Sequence, residues 1–547
     1  MAEVNIAESL FLSRIMNCTA VTLPYQHTGY FSKIVTDYLE GSEFLRPFYE
    51  QPPSLDGIKS AIHDRKQFNT DRKLLVEQLK KQYEAVETGA AVKRNIEKLG
   101  HDNCFTVTTA HQPAIFTGTL FFIYKILHAI KLAAHLEKEL PGNQFVPVFY
   151  MGSEDADMDE LGKVYLDHEK LTWETNQTGA IGRMNGSGLE KIIERIEGEY
   201  SVQPFGRELV QLLKDCYLDC KNIQTATFKL VDKIFSEYGL VVLIPDNVHF
   251  KKMMVPVFED DLFQHKPMAI AKGTISQLSL QYDIQANPRD INLFYLKNDV
   301  RERIVEEGEN FYKVYGTDIV FTKEELKEEL HQHPDRFSPN VILRGLFQGT
   351  ILPDIVFIEG GGEMAYWLEL KKLFDHYKVP YPVLILRNSF LILEKKWKEK
   401  LEKTGIGIED IFKSDEDLVN KLVKKESRNQ LSLDKEIEDA NNYYEKLKQI
   451  TQPVDPTLTQ YVEALQSKAV KPLMDLEKKL LKAEKRKFEA QRLHIQSIKS
   501  ALFPLDNLQE RIENFMPYYA IWGKEFLDIL YKHSLTMEQK FTILEEI

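Results

Sequence analysis

Residues 104–151 read CFTVTTAHQPAIFTGTLFFIYKILHAIKLAAHLEKELPGNQFVPVFYM, and this stretch decides the fold. Positions 105–109 form a short β-branched run that ends in a turn at 111–118. A long apolar helix is expected at 119–140, and 145–151 is a second apolar run. Strand, helix and strand at this spacing make a βαβ unit, with parallel strands and a right-handed crossover. Further buried strands are expected at 240–245, 355–359 and 381–386, each closing on polar or Gly-rich residues. Together they specify an α/β fold, an open doubly wound parallel sheet of Rossmann-like type. Its site belongs at the C-terminal ends of the strands.

Outside this stretch, the chain of 547 residues is too long for one hydrophobic core. With 43% hydrophobic and 28% charged residues it is an ordinary globular sequence. A net charge of −13 repels phosphate backbones and argues against a nucleic-acid partner. Four cysteines are too few for a disulfide framework. Cys216 and Cys220 lack a nearby His or third Cys to complete a zinc shell, so they read as structural thiols, as does Cys104. The apolar run 120–136 is broken by Lys125, His128, Lys131 and His135, which suits a buried helix and no membrane span. No secretory pattern opens the chain, so a cytoplasmic location is expected. Residues 1–15, ahead of Met16, read as a disordered extension.

Beyond Phe390 the composition turns to Lys, Glu, Leu and Gln. Val462, Ala469, Leu476, Ala483 and Ala490 recur at sevens, flanked by Leu465, Leu473 and Leu480, a coiled-coil seam. A shorter helix at 433–450 precedes it across TQPVDP, so an antiparallel hairpin is expected, its second helix more than twice as long as the first. Surface is then left over for a second copy, a homodimer through the arm. The division expected is a core at 16–395 with insertions between about 160 and 340. A helical coiled-coil arm at 396–500 and a returning segment at 501–547 complete it.

Four strand-end segments could carry chemistry. In TTAHQPAIFTG, His111, Gln112, Thr117 and Gly118 lie between a strand and a helix N-terminus, a place suited to phosphate or carboxylate, with Lys125 within two turns. In GSEDADMDE, Glu154, Asp155 and Asp157 follow a strand and suit a substrate amine, hydroxyls, Mg2+ or a general-base role, while Asp159 and Glu160 read as helix-start residues. FIEGGGEMAYW places Glu359, Gly360, Gly361, Glu363 and Tyr366 around a Gly-rich turn. ILRNSF ends the last strand with Arg387, Asn388 and Ser389, and Arg344 offers another cation. His111, Gln112, Gly118, Asp155, Gly361 and Arg387 are expected around one cleft. No Walker, HExxH, GxSxG or zinc-spacing motif is present, and no metal is expected.

These segments, with SPNVILRGLFQGTILPDIVFIEGGGEMAYWLELK and the terminal LFPLDNLQERIENFMPYY, resemble the bacillithiol-biosynthesis cysteine-adding enzyme family. The likeness runs from about Met16 to the C-terminus. It implies a core related to class I aminoacyl-tRNA synthetases, with connecting insertions and a coiled-coil arm that forms a homodimer. It also implies a ligase that joins L-cysteine to the amine of glucosaminyl-malate in the last step of bacillithiol assembly. In the synthetase-like case ATP would activate the cysteine carboxyl as an adenylate. His111, Gln112 and Asp155 would then be catalytic, the acidic cluster would hold ammonium groups, and Arg387 or Arg344 would hold malate carboxylates. The family's common Gly-Gln-Gln stands here as Ala110-His111-Gln112, and no Lys-Met-Ser-Lys-Ser loop is visible. Two alternatives remain: a nucleotidyl- or glycosyltransferase on the same fold, and a non-enzymatic coiled-coil adaptor.

Overall fold

The computed structural model describes residues 18–167, 169–308, 310–427 and 431–546, so the expectation for residues 1–15 lies outside it. The described chain divides into two compact units. One comprises the residues up to Leu391 together with 507–545, the other 392–506.

In the first unit, helices α1 (Leu55–Lys66) and α2 (Arg72–Tyr83) precede strand β1 (Cys104–His111). Helix α3 (Phe121–Glu139) and β2 (Gln144–Met151) complete the βαβ unit, and β3 (Val241–Leu243) follows a helical insertion. A second insertion, between β3 and the next core helix, carries β4 (Leu293–Lys297), β5 (Val300–Glu306), β6 (Phe311–Val314), β7 (Val320–Thr322) and β8 (Phe337–Pro339). Then come α4 (Val341–Ile351), β9 (Asp354–Glu359), α5 (Gly361–Glu369) and β10 (Val383–Leu386). The central sheet has the order β10–β9–β1–β2–β3 with parallel pairing throughout, as the apolar runs required. The chain leaves β1 toward β2 on one side, while β9 lies on the other. This reversal of strand order opens a crevice at the strands' C-terminal ends. A second five-stranded sheet, β7–β6–β5–β4–β8, is built from the second insertion.

The core forms because β1, β9 and β10 present Phe105, Val107, Ile355, Ile358, Val383 and Ile385 to Ile58, Ala61 and Ile62 of α1 and to Ala129, Leu132 and Leu136 of α3. Polar groups inside it are matched. Asp354 accepts from Thr108 Oγ1 at 2.7 Å and from Gln348 Nε2 at 2.8 Å. Buried Arg65 donates to the carbonyls of Gly349, Asp354 and Pro380 at 2.8, 3.1 and 3.4 Å, joining the end of α4, the start of β9 and the approach to β10. The free edge of β3 is closed by side chains of α2. Tyr83 OH accepts from Val242 N, and the Gln82 amide bonds Val242 O and Ile244 N. Such sealing removes an aggregation-prone edge. All four cysteines are free, and burial pushes the Cys104 and Cys216 thiols up to about 12. Among the described residues no helix is long and apolar enough to cross a membrane, and no His/Cys/Asp/Glu cluster fits a metal.

In the second unit, α6 (Asp434–Thr451) and α7 (Leu458–Lys485) form the expected hairpin, and α8 (Glu489–Leu502) follows a break at Arg486–Phe488. The seam itself differs from the sequence reading. Val462 is buried and Leu465, Ala469, Leu473 and Leu480 are half-buried, but Leu476, Ala483 and Ala490 are exposed. A straight helix drifts by about 20° per heptad, so a strict sevenfold stripe leaves the facing side. The two buried positions, Val462 and Glu484, are 22 residues apart, with Leu473 half-buried midway, so the covered side steps at 11 and not at seven. Ala490 lies beyond the break, and α7 has 28 residues against 18 in α6, less than twice as many.

Arg65→Met keeps the bulk but strips three carbonyls, two of them buried, of this donor. It is expected to cost about 3 kcal/mol of stability. Urea denaturation of the full chain checks this, and an unchanged midpoint contradicts it.

Candidate active site

A cavity of about 360 Å3 opens at the C-terminal ends of the parallel strands. Strand β1 delivers Ala110, His111 and Gln112, β2 delivers Gly152, Glu154 and Asp155, and β9 delivers Gly360–Gly362. Arg387 comes from the end of β10, and Ser338, Pro339, Asn340 and Arg344 from the β8–α4 junction.

At its floor lies Lys125 of α3, only 1% exposed. Its Nζ donates to Ala110 O, to Glu359 Oε2 at 2.6 Å and to Glu363 Oε2 at 3.2 Å. Ala110 N donates to the other Glu359 oxygen at 2.6 Å. Burial and the adjacent Glu363 charge push the Glu359 carboxyl well up. Burial opposes ionisation of Glu363 too, but Lys125, the hydrogen bond with Glu359 and Arg344 bring it down to about 2. Glu363 thus places a fixed negative charge on the cavity wall, with Glu359 behind it. Arg344 Nη2 donates to Tyr366 OH at 2.5 Å and lies 3.9 Å from Glu363.

His111 is half-buried against the Phe121 and Phe122 rings, at centroid distances of 5.3 and 5.4 Å. Its Nδ1 lies 2.9 Å from Gln112 O. A carbonyl can only accept, so Nδ1 carries the proton and Nε2 keeps its lone pair. Burial and the Lys125 charge lower the imidazole to about 4, so it is neutral at physiological pH. Gln112 Nε2 donates to Asp155 Oδ2 at 3.1 Å, and Ala156 N donates to Asp155 Oδ1 at 2.7 Å.

Of the six residues expected around one cleft, His111, Gln112, Asp155, Gly361 and Arg387 line this cavity and Gly118 does not. Phe116, Thr117 and Gly118 form a left-handed turn with φ of 50°, 69° and 66°, and Thr117 is fully buried. Asn514 Nδ2 donates to the carbonyls of Phe116 and Gly118, and Leu120 N donates to Glu513 O at 2.7 Å. The returning C-terminal segment therefore occupies the helix N-terminus that the sequence offered to an anion. Asp157 lies outside the cavity and caps the Met158–Leu161 turn by accepting from Glu160 N, while Glu160 lines the cavity instead. Glu154 lines it but is held by fully buried Lys251, which lies 3.9 Å from Asp246.

Asn388 and Ser389 stand behind Arg387. Arg387 Nη2 donates to fully buried Glu510 at 2.8 Å and its Nη1 to Ser389 Oγ at 3.1 Å. Asn388 N donates to His128 Nδ1 at 3.1 Å, so His128 Nε2 carries the proton and donates to Thr536 O at 2.8 Å. The sequence reading missed Tyr150, Glu160, Arg301, Ser338 and Arg511, all of which line the cavity. All but Arg301 fall inside stretches already quoted, Ser338 at the start of SPNVILRGL and Arg511 within LFPLDNLQERIENFMPYY; Arg301 carries no such signal.

Burial lowers His128, like His111, to about 4 against 6.5 for a free imidazole. The unfolded chain therefore binds more protons than the folded one as pH falls from 6.5 toward 4. The stability from these two sites is complete above pH 6.5 and is lost below it, about 2 kcal/mol per histidine at pH 5. His128→Gln retains a donor and an acceptor but no titration. Its denaturation midpoint should fall less between pH 7 and pH 5 than that of the parent chain.

Comparison with known proteins places this geometry. Residues 16–388 match the N-terminal Rossmann-like domain of the bacillithiol biosynthesis protein BshC, and residues 390–546 match its C-terminal coiled-coil domain. A Flavobacterium johnsoniae BshC, named for a proposed cysteine-ligase activity, is 36% identical over 95% of this chain and 99% of its own length. One from Cytophaga hutchinsonii is 38% identical over 90% and 92%. One from Bacillus cytotoxicus is 26% identical over 92% and 96%. A solved structure from Campylobacter jejuni, provisionally titled an arginyl-tRNA synthetase, aligns at 12% identity and a TM-score of 0.23 over 80% of this chain and 93% of that one, too loosely to carry an argument. On the two domain matches and the full-length relatives, the chain belongs to the BshC family of bacillithiol biosynthesis.

Proposed function

We propose that the cavity forms the amide bond between the carboxyl of L-cysteine and the amine of glucosaminyl-malate, the last step of bacillithiol assembly. The names of the relatives support the cysteine-ligase part of this reading. The observation that carries it is the convergence, in one cavity, of ionised Glu363, the Gln112–Asp155 pair, neutral His111 and several arginines. Glu363 holds the ammonium group of cysteine. His111 Nε2 accepts a hydrogen bond from the neutral acceptor amine and aims its lone pair. The nitrogen attacks the activated carboxyl carbon. A C–N bond forms, the bond to the leaving oxygen breaks, and the surplus amine proton passes to Asp155.

ATP is the proposed activating co-substrate. The Gly360–Gly362 turn suits its phosphates, because Gly360 caps α5 with no side chain and a Cβ on Gly362 would meet nothing within 4 Å. When bound, ATP supplies the activation of the cysteine carboxyl. The test incubates the purified full chain with L-cysteine, glucosaminyl-malate and ATP and follows product by mass spectrometry. The expected result is a cysteinyl amide, with kcat lowered about 100-fold or more in Asp155→Asn. Transfer of a nucleotidyl or glycosyl group instead, or no product, overturns the reading.

For the second unit, we propose that the arm pairs with a second copy of itself. Tyr461, Met474 and Leu476 of α7 are 63%, 47% and 46% exposed, apolar side chains that α6 leaves uncovered. Leu476→Glu in such an interface buries a charge at about 2 kcal/mol or more. Light scattering should then report a monomer where the parent chain is a dimer; a monomeric parent chain refutes the proposal.

A further inference from the structure

Four arginines line the cavity, and their surroundings differ. Arg387 is neutralised by Glu510, and Arg344 is bonded to Tyr366 beside Glu363. These two, which the sequence offered for substrate carboxylates, already have partners within the protein. Arg511 is exposed and bonds no acceptor among the described residues. Arg301 is the unusual one. Its guanidinium stacks on the Phe294 ring at 4.0 Å, and its Nε is buried with no hydrogen-bond acceptor. Asp155 comes no closer than 3.8 Å, an ion pair without a hydrogen bond.

A second orphan lies nearby. Ser338, 1% exposed, lines the same cavity and its Oγ has no partner. The register of the second sheet explains the pairing of the two. Ser338 stands directly opposite Phe294 on neighbouring strands, so both side chains share one face, and the Arg301 guanidinium lies over that same ring. Helix α4 starts three residues later, and its Asn340 cap accepts from Ile342 N. A buried guanidinium donor and a buried hydroxyl, each without a partner, next to a helix N-terminus make a receptor for a carboxylate-like anion.

We infer that Arg301 and Ser338 form a subsite for a carboxylate of the acceptor, and so select an acceptor that carries a dicarboxylate aglycone. This rests on the amide-forming reading above. Chemistry favours the acceptor over cysteine, because the single carboxyl of cysteine is consumed in the bond being made. A fixed carboxylate receptor would have nothing to hold at that step. The bare glycine turn that suits nucleotide phosphate belongs to a different helix, α5.

The experiment measures KM and kcat for glucosaminyl-malate, L-cysteine and ATP in Arg301→Met, Arg301→Lys and Ser338→Ala, with thermal unfolding to confirm folding. Arg301→Met should raise KM for glucosaminyl-malate roughly 10- to 100-fold, the value of a charge-assisted contact. KM for cysteine and ATP should stay within about twofold, and the preference for glucosaminyl-malate over methyl glucosaminide should collapse. Arg301→Lys should recover only part of the loss, since an ammonium cannot present the planar fork. Ser338→Ala should shift the same constant in the same direction by a smaller factor. A rise in KM for ATP would make the subsite a phosphate receptor and overturn the inference. A rise for cysteine, or a fall in kcat alone, would overturn it as well. If the parent chain forms no cysteinyl amide, the amide-forming reading fails by itself. Calorimetric titration with glucosaminyl-malate then decides the subsite: binding lost in Arg301→Met supports it, and equal binding or none by the parent chain refutes it.

Discussion

A buried ammonium ion must be surrounded by acceptors, and Lys125 meets that demand in a way that fixes the site. Taking a lysine out of water costs several kcal/mol unless its protons are satisfied. Here they reach the end of β1 at Ala110 O, the end of β9 at Glu359 and the first turn of α5 at Glu363. These elements meet where the strand order reverses, the position at which an open parallel sheet offers a crevice. The same charge settles the ionisation of the two carboxylates. Two acids in contact cannot both ionise without help. Lys125 and Arg344 leave the charge on Glu363, which faces the cavity, while Glu359 bonds the β1 backbone.

The remaining walls come from segments distant in sequence. The C-terminal return supplies Glu510 to Arg387, Asn514 to the left-handed turn at Phe116–Gly118, and the Thr536 carbonyl to His128. Each contact satisfies a polar group that would otherwise be buried and unpaired. The segment is thus structural to the cavity as well as adjacent to it. The insertion between β3 and α4 brings a second sheet that contributes Arg301 and Ser338 to the cavity. The parallel sheet contributes acid–base groups, and the insertion contributes a binding surface. That division of labour is common where loops and insertions decorate a rigid α/β scaffold.

Much of this was legible in the sequence for definite reasons. Fully buried parallel strands must be continuous apolar runs, and each of the five expected runs is a strand of the central sheet. Because such strands end on one edge, His111, Gln112, Asp155, Gly361 and Arg387 could be grouped before any contact was known. TQPVDP ended one arm helix because proline cannot continue it, and the hairpin followed. Local pattern sufficed wherever one physical requirement, burial or a missing N–H, acted on neighbouring residues.

Tertiary structure alone decided which polar groups are free. Arg387 and Arg301 look equivalent as letters, but Glu510, 123 positions away, neutralises the first and nothing comparable reaches the second. Thr117 and Gly118 sit at a helix N-terminus that the sequence left open and Asn514 with Glu513 filled. Asp157 became the cap of one short helical turn, and Glu160, in the first turn of that helix as expected, also lines the cavity. The sevenfold arm seam failed because helical drift accumulates with length, so register depends on the partner helix as well as on spacing. Apolar burial is imposed residue by residue along the chain, and so the sequence determined the sheet, its reactive edge and the helical arm. The partner of a charge is set by whichever segment folds back onto it, and that only the tertiary structure decided.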